Sequence, residues 1–237
     1  MTELLIINPN TSTEVSAAVD DLARQELGST ARIRTVTAAF GARYIASRTG
    51  VAIGAHAALD AYASALSDGA RPDVVVLACF GDPGLDALRE ISPVPVLGFA
   101  DSGLTAAVAL PGSFAIATIG PVWGEMLGEL IARRGLAARF AGMITLDEDS
   151  RVDAVAIRNI EVAAAANGAT RVIVGGTGLI PIMPAISAAL PSLVLDPHRL
   201  TLRLAATTAP GVHSSVAADA AFVGLAPALQ ALLNRPR

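Results

Sequence analysis

Short apolar runs alternate with longer amphipathic or alanine-rich segments along the chain, and polar or glycine-containing breaks separate them. The first apolar run ends at Asn8, and a helix is predicted from Thr11 or Ser12, either of which would cap it, to about Leu27. The later elements of this half are a strand at 33–36, a helix at 51–67, a strand at 74–78, a helix at 85–90 and a strand at 94–97. Strands that alternate with helices are typical of βαβ units and mainly parallel sheets.

The same kind of series returns in the second half of the chain. Its predicted members are a strand at 114–118, helices at 122–134 and 152–167, strands at 171–174 and 193–195, and a helical tail at 216–233. The strand before Cys79 matches the strand before Gly176. We therefore predict an α/β fold of two similar lobes, each a mainly parallel sheet flanked by helices, with the active site in the interlobe cleft. Lobe one is expected to comprise residues 1–98 plus about 206–237, and lobe two residues 99–205.

The composition narrows the range of partners. The chain has 237 residues, of which 53% are hydrophobic and 16% charged, and its formal net charge is −4. This charge argues against nucleic acid or an anionic membrane surface as partner. A single cysteine cannot form an internal disulfide, so we expect a cytoplasmic protein. The sequence predicts no signal peptide, no membrane span and no metal site. We expect a small-molecule substrate and a homo-oligomer.

Cys79 is the leading candidate for a catalytic residue. It follows the apolar run 74–78 and precedes a turn of glycine, aspartate and proline, which predicts a position at the carboxyl end of a strand. Ligands bind at this edge of open α/β sheets. A thiol placed there is a candidate nucleophile or acid/base. The alternative is a buried and inert cysteine, which is the more frequent role of a lone cysteine on an apolar strand.

Two motifs resemble the hydantoin and allantoin racemases of the aspartate/glutamate/hydantoin racemase superfamily, which also includes arylmalonate decarboxylases. These motifs are Ile7-Asn8-Pro9-Asn10-Thr11-Ser12 and Ala78-Cys79-Phe80-Gly81-Asp82-Pro83-Gly84. The similarity extends through Pro95-Val96-Leu97-Gly98, Gly175 to Gly178 and Asp196-Pro197, so it covers most of the chain. The resemblance implies a two-lobed α/β fold and proton chemistry that needs no cofactor.

The resemblance also implies a role for Cys79. In the racemases two cysteines flank the substrate carbon, and one removes a proton while the other returns a proton to the opposite face. Cys79 matches the first cysteine, but Gly176 stands at the position of the second. The arylmalonate decarboxylases keep one cysteine, in the other lobe, and protonate a carbanion from one side. Because the overall resemblance to the hydantoin and allantoin racemases is closer, we predict a racemase or epimerase of a hydantoin-like or amino-acid-like substrate, with Cys79 as thiol acid/base. A one-thiol decarboxylase or related lyase, or an inactive or binding-only relative, is the alternative.

Glycine-rich loops at the strand ends are expected to bind the substrate. Proton removal next to a carbonyl places negative charge on the oxygen, and fixed N–H or O–H donors must stabilise it. The expected donors are Phe80, Gly81, Gly176, Thr177 and Gly178, with the Thr177 hydroxyl among them. Gly176 and Thr177 have simple turn or capping roles as alternatives. We expect Gly176 to lie across the cleft from Cys79.

Four polar side chains complete the set of candidates. Asn8 resembles a position that lines the site in the family, with hydrogen bonding inside the following turn as the alternative. Asp82 is a candidate to orient the Cys79 loop, with formation of the turn as the alternative, and Asp101 is a candidate to support the site from behind. His198 follows Asp196-Pro197 on a predicted strand-end loop and is a weak candidate for the cleft. We also expect the Cys79 sulfur to react with iodoacetamide faster than free cysteine does.

Overall fold

Two parallel four-stranded sheets form the framework of the molecule in the computed structural model, which describes residues 1–146, 153–209, 211 and 221–234. The first sheet has the order β2-β1-β3-β4 and the second the order β6-β5-β7-β8. The strands are β1 Thr2–Asn8, β2 Ala31–Thr37, β3 Val74–Leu77, β4 Val96–Gly98, β5 Phe114–Ile119, β6 Phe140–Leu146, β7 Arg171–Val174 and β8 Val194–Leu195. The predicted α/β fold with two similar parallel sheets is confirmed.

Helices connect and flank these strands. They are α1 Thr13–Leu27, α2 Arg48–Ser67, α3 Leu85–Ile91, α4 Phe99–Ala109, α5 Pro121–Arg133, α6 Asp153–Asn167, α7 Met183–Ala189, α8 Pro197–Thr207 and α9 Pro227–Leu233, with a 3-10 helix at Thr177–Ile182. The helices α1, α2 and α8 each begin with a side-chain cap, because Ser12, Ser47 and Asp196 accept hydrogen bonds from backbone N–H groups in their first turns. The predicted choice between Thr11 and Ser12 is thereby settled in favour of Ser12.

Several elements differ from the sequence prediction. The strand β6 was not predicted, since Gly142 interrupts its apolar pattern, and the helices α4, α7 and α8 were also missed. The helix α4 begins directly after β4 and has no side-chain cap of its own at Gly98. The predicted helical tail is wrong for residues 221–226, which are irregular, and the α-helix there covers only Pro227–Leu233. The remainder of that prediction, residues 216–220, lies outside the described residues.

Alternate residues of the central strands enter different parts of the core. On β1, Leu4 and Ile6 belong to a large cluster that also contains Phe114 and Ile116 of β5, so this cluster joins the two sheets. The residues between them, such as Leu5 on β1, pack into a separate cluster on the outer side of the first sheet. A third cluster covers the outer side of the second sheet. Burial of both faces is typical of parallel sheets and explains why these strands are continuous apolar runs.

The registers of the two sheets place Cys79 and Gly176 at equivalent points. In the first sheet Ile7 pairs with Leu77, and in the second Ala117 pairs with Val174. One residue further on, the N–H of Ala78 donates to Ile7 and the N–H of Gly175 donates to Ala117, at 2.8 and 2.9 Å. Cys79 and Gly176 are the next residues along the chain, one after β3 and the other after β7. The lobe alignment made from sequence therefore holds at this position.

The two lobes meet closely just beyond β3 and β7. A Cβ atom at Gly175 would lie 2.2 Å from Cε1 of Phe80, so the aromatic ring occupies the space that a side chain would need. A Cβ atom at Gly81 would likewise lie 2.7 Å from the indole ring of Trp123 on α5. An ion pair between Arg48 of α2 and Glu129 of α5 adds a polar contact between the halves.

The C-terminal helices pack on elements of the first half of the chain. The helix α8 lies against α1 and α4 and contacts β3, while α9 packs on α2. The lobe limits at residues 98 and 205 stay a prediction. Among the helices in the described ranges, none combines the length and the apolar character that crossing a membrane requires.

Candidate active site

A pocket of about 580 Å³ opens where the carboxyl ends of β1, β3, β5 and β7 come together. Residues from both lobes line it, as expected for the switch-point edge of parallel sheets. The lining consists of Asn10, Glu14, Val15, Ala18, Tyr44, Ile45, Ala46, Cys79, Phe80, Thr118, Ile119, Gly120, Trp123, Gly175, Gly176, Thr177, Gly178, Leu179 and Pro181. Of the predicted site residues, Cys79, Phe80 and the segment 176–178 belong to this lining.

Cys79 lies in the pocket wall as a largely buried thiol. Its exposed fraction is 7%, and burial, with a further contribution from the charge of Asp82, raises the pKa of Cys79 to about 12. A thiol with this pKa stays protonated at neutral pH. At neutral pH Cys79 is therefore suited to donate a proton, and it becomes a base only when substrate or pH favours its thiolate.

The burial of Cys79 predicts slow alkylation, in contrast to the fast alkylation expected from the sequence. Because only the thiolate attacks iodoacetamide, Cys79 should react more slowly than free cysteine at about pH 7. Its rate should rise about tenfold per pH unit through about pH 10, without the plateau that free cysteine shows near its own pKa of about 8.5. Mass spectrometry of the alkylated protein over time, with glutathione as the reference thiol, measures both rates. A faster reaction than that of glutathione at pH 7 would contradict the burial argument.

Gly176 occupies the second-lobe position that corresponds to Cys79. Its φ is +125°, a conformation that favours glycine strongly, and it precedes the 3-10 helix at Thr177. A Cβ atom built there would meet only the Thr118 hydroxyl oxygen, at 3.6 Å, which is ordinary contact. The pocket thus has space for a side chain at this position, but the backbone conformation disfavours one.

Thr118 is a lining residue that was not predicted. It lies on β5, and the register of the sheets makes it equivalent to Asn8 of β1. Its exposed fraction is only 2%, and no described residue forms a hydrogen bond with its hydroxyl group. Thr118 and Thr177 supply hydroxyl groups to the second-lobe wall, and no titratable side chain lies among the described residues of that wall.

Asn8 lies behind the pocket wall, and its neighbour Asn10 forms the lining in its place. Asn8 is fully buried, and its Nδ2 lies 3.0 Å from each of three acceptors, on Asn10, Ser12 and Ser16. Its Oδ1 accepts from the backbone N–H of Asn10. These contacts match the alternative interpretation of Asn8 as a residue that bonds the following turn.

Asp82 lies outside the lining and caps α4. Its carboxylate accepts from the backbone N–H groups of Ala100 and Asp101, at 3.1 and 2.6 Å, and its own N–H donates to the carbonyl oxygen of Cys79. Burial raises the pKa of Asp82 to about 7, although the two N–H groups oppose the shift. Its φ of 52° is a turn conformation. Asp82 therefore connects the Cys79 loop to α4. The predicted site residue Gly81 also lies outside the lining, and its missing side chain leaves room for the indole ring of Trp123.

Replacing Asp82 by asparagine is expected to remove a pH dependence of stability. The folded protein binds the Asp82 proton more tightly than the unfolded chain does, so the stabilisation is complete below about pH 4 and is lost as the pH rises through about 7. Urea unfolding at about pH 5 and about pH 8 should show Asp82→Asn gaining stability over wild type by at least about 1 kcal/mol between the two, the equivalent of one pKa unit. A constant difference would contradict the raised pKa.

Asp101 is a structural ion-pair residue outside the lining. Its carboxylate accepts hydrogen bonds from Arg89 of α3 and from Arg134 just after α5. Burial alone would raise the pKa of Asp101, but the hydrogen bonds and charges of the two arginines outweigh burial and lower it. Asp101 thus joins three helices around the site and has no contact with the pocket.

His198 does not reach the pocket either. It lies in the first turn of α8 with no exposed surface, its Nδ1 is 3.1 Å from Asp196, and its ring packs edge-on against Phe99. The predicted place of His198 in the cleft is wrong, because the residues after β8 form a helix that turns this side chain into the core.

Charge in the pocket comes from the first lobe alone. The titratable lining residues among the described ones are Glu14, Tyr44 and Cys79. Hydrogen bonds from its own backbone N–H and from the Ser12 hydroxyl, and then the charge of Arg43, lower the pKa of Glu14, so this carboxylate is ionised at neutral pH. No arginine, lysine or histidine lines the pocket within the described part of the chain, and no cluster there of three acidic, histidine or cysteine side chains could hold a metal ion.

Sequence reasoning missed Asn10, Glu14, Tyr44, Thr118 and Trp123 as lining residues. Asn10 lies in the quoted N-terminal motif, and alignment of the two lobes would have pointed to Thr118. Glu14 and Tyr44 carry no sequence signal, since their place depends on how α1 and the loop after β2 approach the strand ends.

Comparison with known proteins agrees with this architecture. The family described as Asp/Glu/Hydantoin racemase matches residues 4–205. A hydantoin racemase of Paenarthrobacter aurescens is 28% identical over 210 residues, which cover 85% of this chain and 89% of that protein. The structure of allantoin racemase from Klebsiella pneumoniae has a TM-score of 0.83 at 23% identity, covering 99% of this chain and 100% of that one. Arylmalonate decarboxylase has a TM-score of 0.63 at 16% identity, covering 90% and 96% of the two chains. The structural similarities show the fold.

Proposed function

Because this chain belongs to the Asp/Glu/Hydantoin racemase family, we propose that it is a cofactor-independent racemase or epimerase with Cys79 as its acid/base. The predicted enzyme class, a racemase-type isomerase, agrees with this family. The observation that carries the proposal is the place of Cys79, the single cysteine of the chain, in a pocket lined by both lobes. The reaction acts on an acidic carbon beside a carbonyl group.

The proton transfers follow from the groups around the pocket. The Cys79 thiolate removes the proton from carbon, the electron pair of the C–H bond moves onto the carbonyl oxygen as an enolate, and the thiol then returns a proton to the carbon. Return to the same face exchanges the proton without inversion. Inversion needs a proton from the opposite face, where the described residues of the second-lobe wall offer the hydroxyl groups of Thr118 and Thr177 and no titratable side chain. We assign that step to a water molecule on the Gly176 side, and the hydroxide that it leaves takes the proton of the Cys79 thiol and restores the thiolate. Water is a weaker acid than a thiol, so inversion should be slower than exchange.

The charges of the pocket favour a neutral substrate. An aspartate, glutamate or malonate would bring one or two carboxylates into a pocket whose described lining holds no arginine, lysine or histidine, and burying an unpaired charge is costly. The lining carboxylate of Glu14 is exposed and already paired with Arg43 at 2.8 Å. A hydantoin-like ring carries two carbonyl groups and N–H donors without a net charge. The names of the relatives, hydantoin racemase and allantoin racemase, support the same substrate class.

One-thiol decarboxylation is the second candidate, and two observations favour it. Gly176 stands at the position equivalent to Cys79, and the raised pKa of Cys79 leaves its thiol protonated. Loss of carbon dioxide from a malonate would leave a carbanion, which needs a single proton from the thiol. The thiolate then regains a proton from water. The lack of a cationic lining residue speaks against a malonate as substrate.

Proton NMR in heavy water with a panel of substrates separates these functions. The panel contains 5-substituted hydantoins, allantoin, aspartate, glutamate and an arylmalonate. Racemase-type chemistry predicts enzyme-dependent loss of the α-proton signal of a hydantoin or of allantoin. Carbon dioxide release from the arylmalonate alone would establish the decarboxylase instead. An absence of both reactions would support a binding-only relative and overturn the proposal.

A further inference from the structure

Asn10 is a buried polar residue of the pocket wall with one unused donor group. Its exposed fraction is 4%. Its Oδ1 accepts hydrogen bonds from Asn8 Nδ2 at 3.0 Å and from the backbone N–H of Ser12 at 2.9 Å. No described residue accepts a hydrogen bond from its Nδ2. Asn10 Nδ2 is not among the fully buried unpartnered side-chain atoms of the described residues, so it retains accessible surface, and Asn10 is a residue of the pocket lining.

The backbone fixes the orientation of this amide. The N–H of Ser12 can only donate, so the atom of Asn10 that it meets must be the oxygen. The Asn8 amide is fixed in the same way, since its Oδ1 receives the N–H of Asn10 and its Nδ2 faces the carbonyl oxygen of Ser12. Neither amide can rotate by 180° without placing like groups against each other. The nitrogen of Asn10 is therefore the atom that a ligand meets.

We propose that Asn10 donates a hydrogen bond from Nδ2 to the substrate carbonyl oxygen that becomes negative during proton transfer, and that Asn8 is the positioning residue that holds it. This inference rests on the proposed function of the pocket. The donor comes from the first lobe, as Cys79 does, and its position is fixed before substrate arrives. A preorganised donor aimed at developing charge acts mainly on the transition state.

The chemistry selects the substrate group that Asn10 recognises. An amide N–H binds a carbonyl or enolate oxygen without needing a carboxylate, which suits the neutral substrate class that the pocket charges favour. The lining carboxylate of Glu14 can accept a hydrogen bond from a substrate N–H group, so the first lobe offers both an acceptor and a donor. A cyclic ureide presents both partners.

The variant Asn10→Asp removes the donor and keeps the fold. Its carboxylate still accepts from Asn8 and from the Ser12 N–H, while no N–H remains to face the pocket. We expect kcat for α-proton exchange of 5-benzylhydantoin in heavy water to fall by about 100-fold or more, as for loss of one oxyanion donor. KM should change only a few-fold, because the contact strengthens in the transition state.

Two further variants separate positioning from stability. Asn8→Asp is expected to displace the Asn10 amide, because an oxygen replaces the nitrogen that donates to Asn10 Oδ1 and repels it, while the Ser12 N–H still requires that oxygen. The fall in kcat should again come with little change in KM. Thr37→Val removes the hydroxyl that bonds Ser16 at 2.6 Å, at the far end of the same network. This control should lower the melting temperature and leave kcat unchanged.

The outcomes distinguish this inference from the proposed function. An active wild type together with a folded Asn10→Asp variant whose kcat lies within about threefold of wild type overturns the role of Asn10 alone. A fall in kcat for Thr37→Val as large as that for Asn8→Asp overturns the positioning role. Such a fall would mean that kcat responds to any loss of packing in this hydrogen-bond network and not to the contact between Asn8 and Asn10. A wild type that exchanges no α-proton of any substrate in the panel overturns the proposed function and this inference with it.

Discussion

Replacing Cys79 by alanine is expected to lower the rate of enzyme-dependent α-proton exchange by about 10³-fold, within the range that general acid–base groups contribute. The pocket-lining residues among those described contain no other group placed on a strand end that can both take and return a proton. Loss of the sulfur also leaves the pocket shape nearly intact, because alanine fits wherever cysteine does. Initial rates of exchange in heavy water, measured by NMR at a saturating hydantoin concentration, give the effect.

Cys79→Ser is the matched variant for this test. Serine keeps the size and a hydroxyl group, but a hydroxyl without an activating base is a poor proton acceptor, so a loss of similar size is expected. Circular dichroism and the melting temperature check that both variants fold. Exchange at the wild-type rate in either folded variant would remove Cys79 from the mechanism.

Replacing Gly176 by cysteine is expected to raise the rate of inversion relative to the rate of exchange by about tenfold or more, because it supplies a thiol where wild type offers only hydroxyl groups and water as proton donors. A Cβ atom at this position has room beside the Thr118 hydroxyl. The φ of +125° makes the substitution costly, however, and stability should fall by about 1–3 kcal/mol. Chiral chromatography of the product and NMR of the α-proton give the two rates.

Gly176→Ala is the control for the strain. It imposes the same backbone cost without a thiol, so it should lose similar stability and show no increase in the ratio of inversion to exchange. An equal increase in both variants would mean that the ratio responds to loop geometry. An unchanged ratio in a folded Gly176→Cys variant would contradict the assignment of Gly176 to the second face.

The apolar runs predicted both sheets except for the strand β6, whose apolar pattern Gly142 interrupts. The residues from Leu4 to Ile7 are buried on both faces of their strand. Because burial on both faces requires apolar side chains at successive positions, such a strand is recognisable in the sequence as a continuous apolar segment. The position of Cys79 at a strand end followed from the same pattern and the turn after it. Its equivalence to Gly176 followed from the order of elements in the two halves and is confirmed by the strand registers.

The polar residues were harder to place, because their roles depend on contacts between distant segments. Asn8 and Asn10 are two residues apart, yet one is enclosed by the start of α1 and the other faces the pocket. His198 was expected on a loop and lies in a helix that buries it. Asp82 accepts hydrogen bonds from the first turn of α4, and the sequence does not reveal this contact because no capping residue directly precedes that helix.

The central claim is that one thiol, on one face of the substrate, performs the proton transfer. The most direct measurement follows a single enantiomer of 5-benzylhydantoin in heavy water with wild-type protein, recording deuterium entry by NMR and loss of optical rotation in the same sample. The account predicts deuterium entry with retention of configuration that runs several times faster than loss of rotation, and one enantiomer that exchanges faster than the other. Equal rates of exchange and inversion from the start, for both enantiomers, would contradict it.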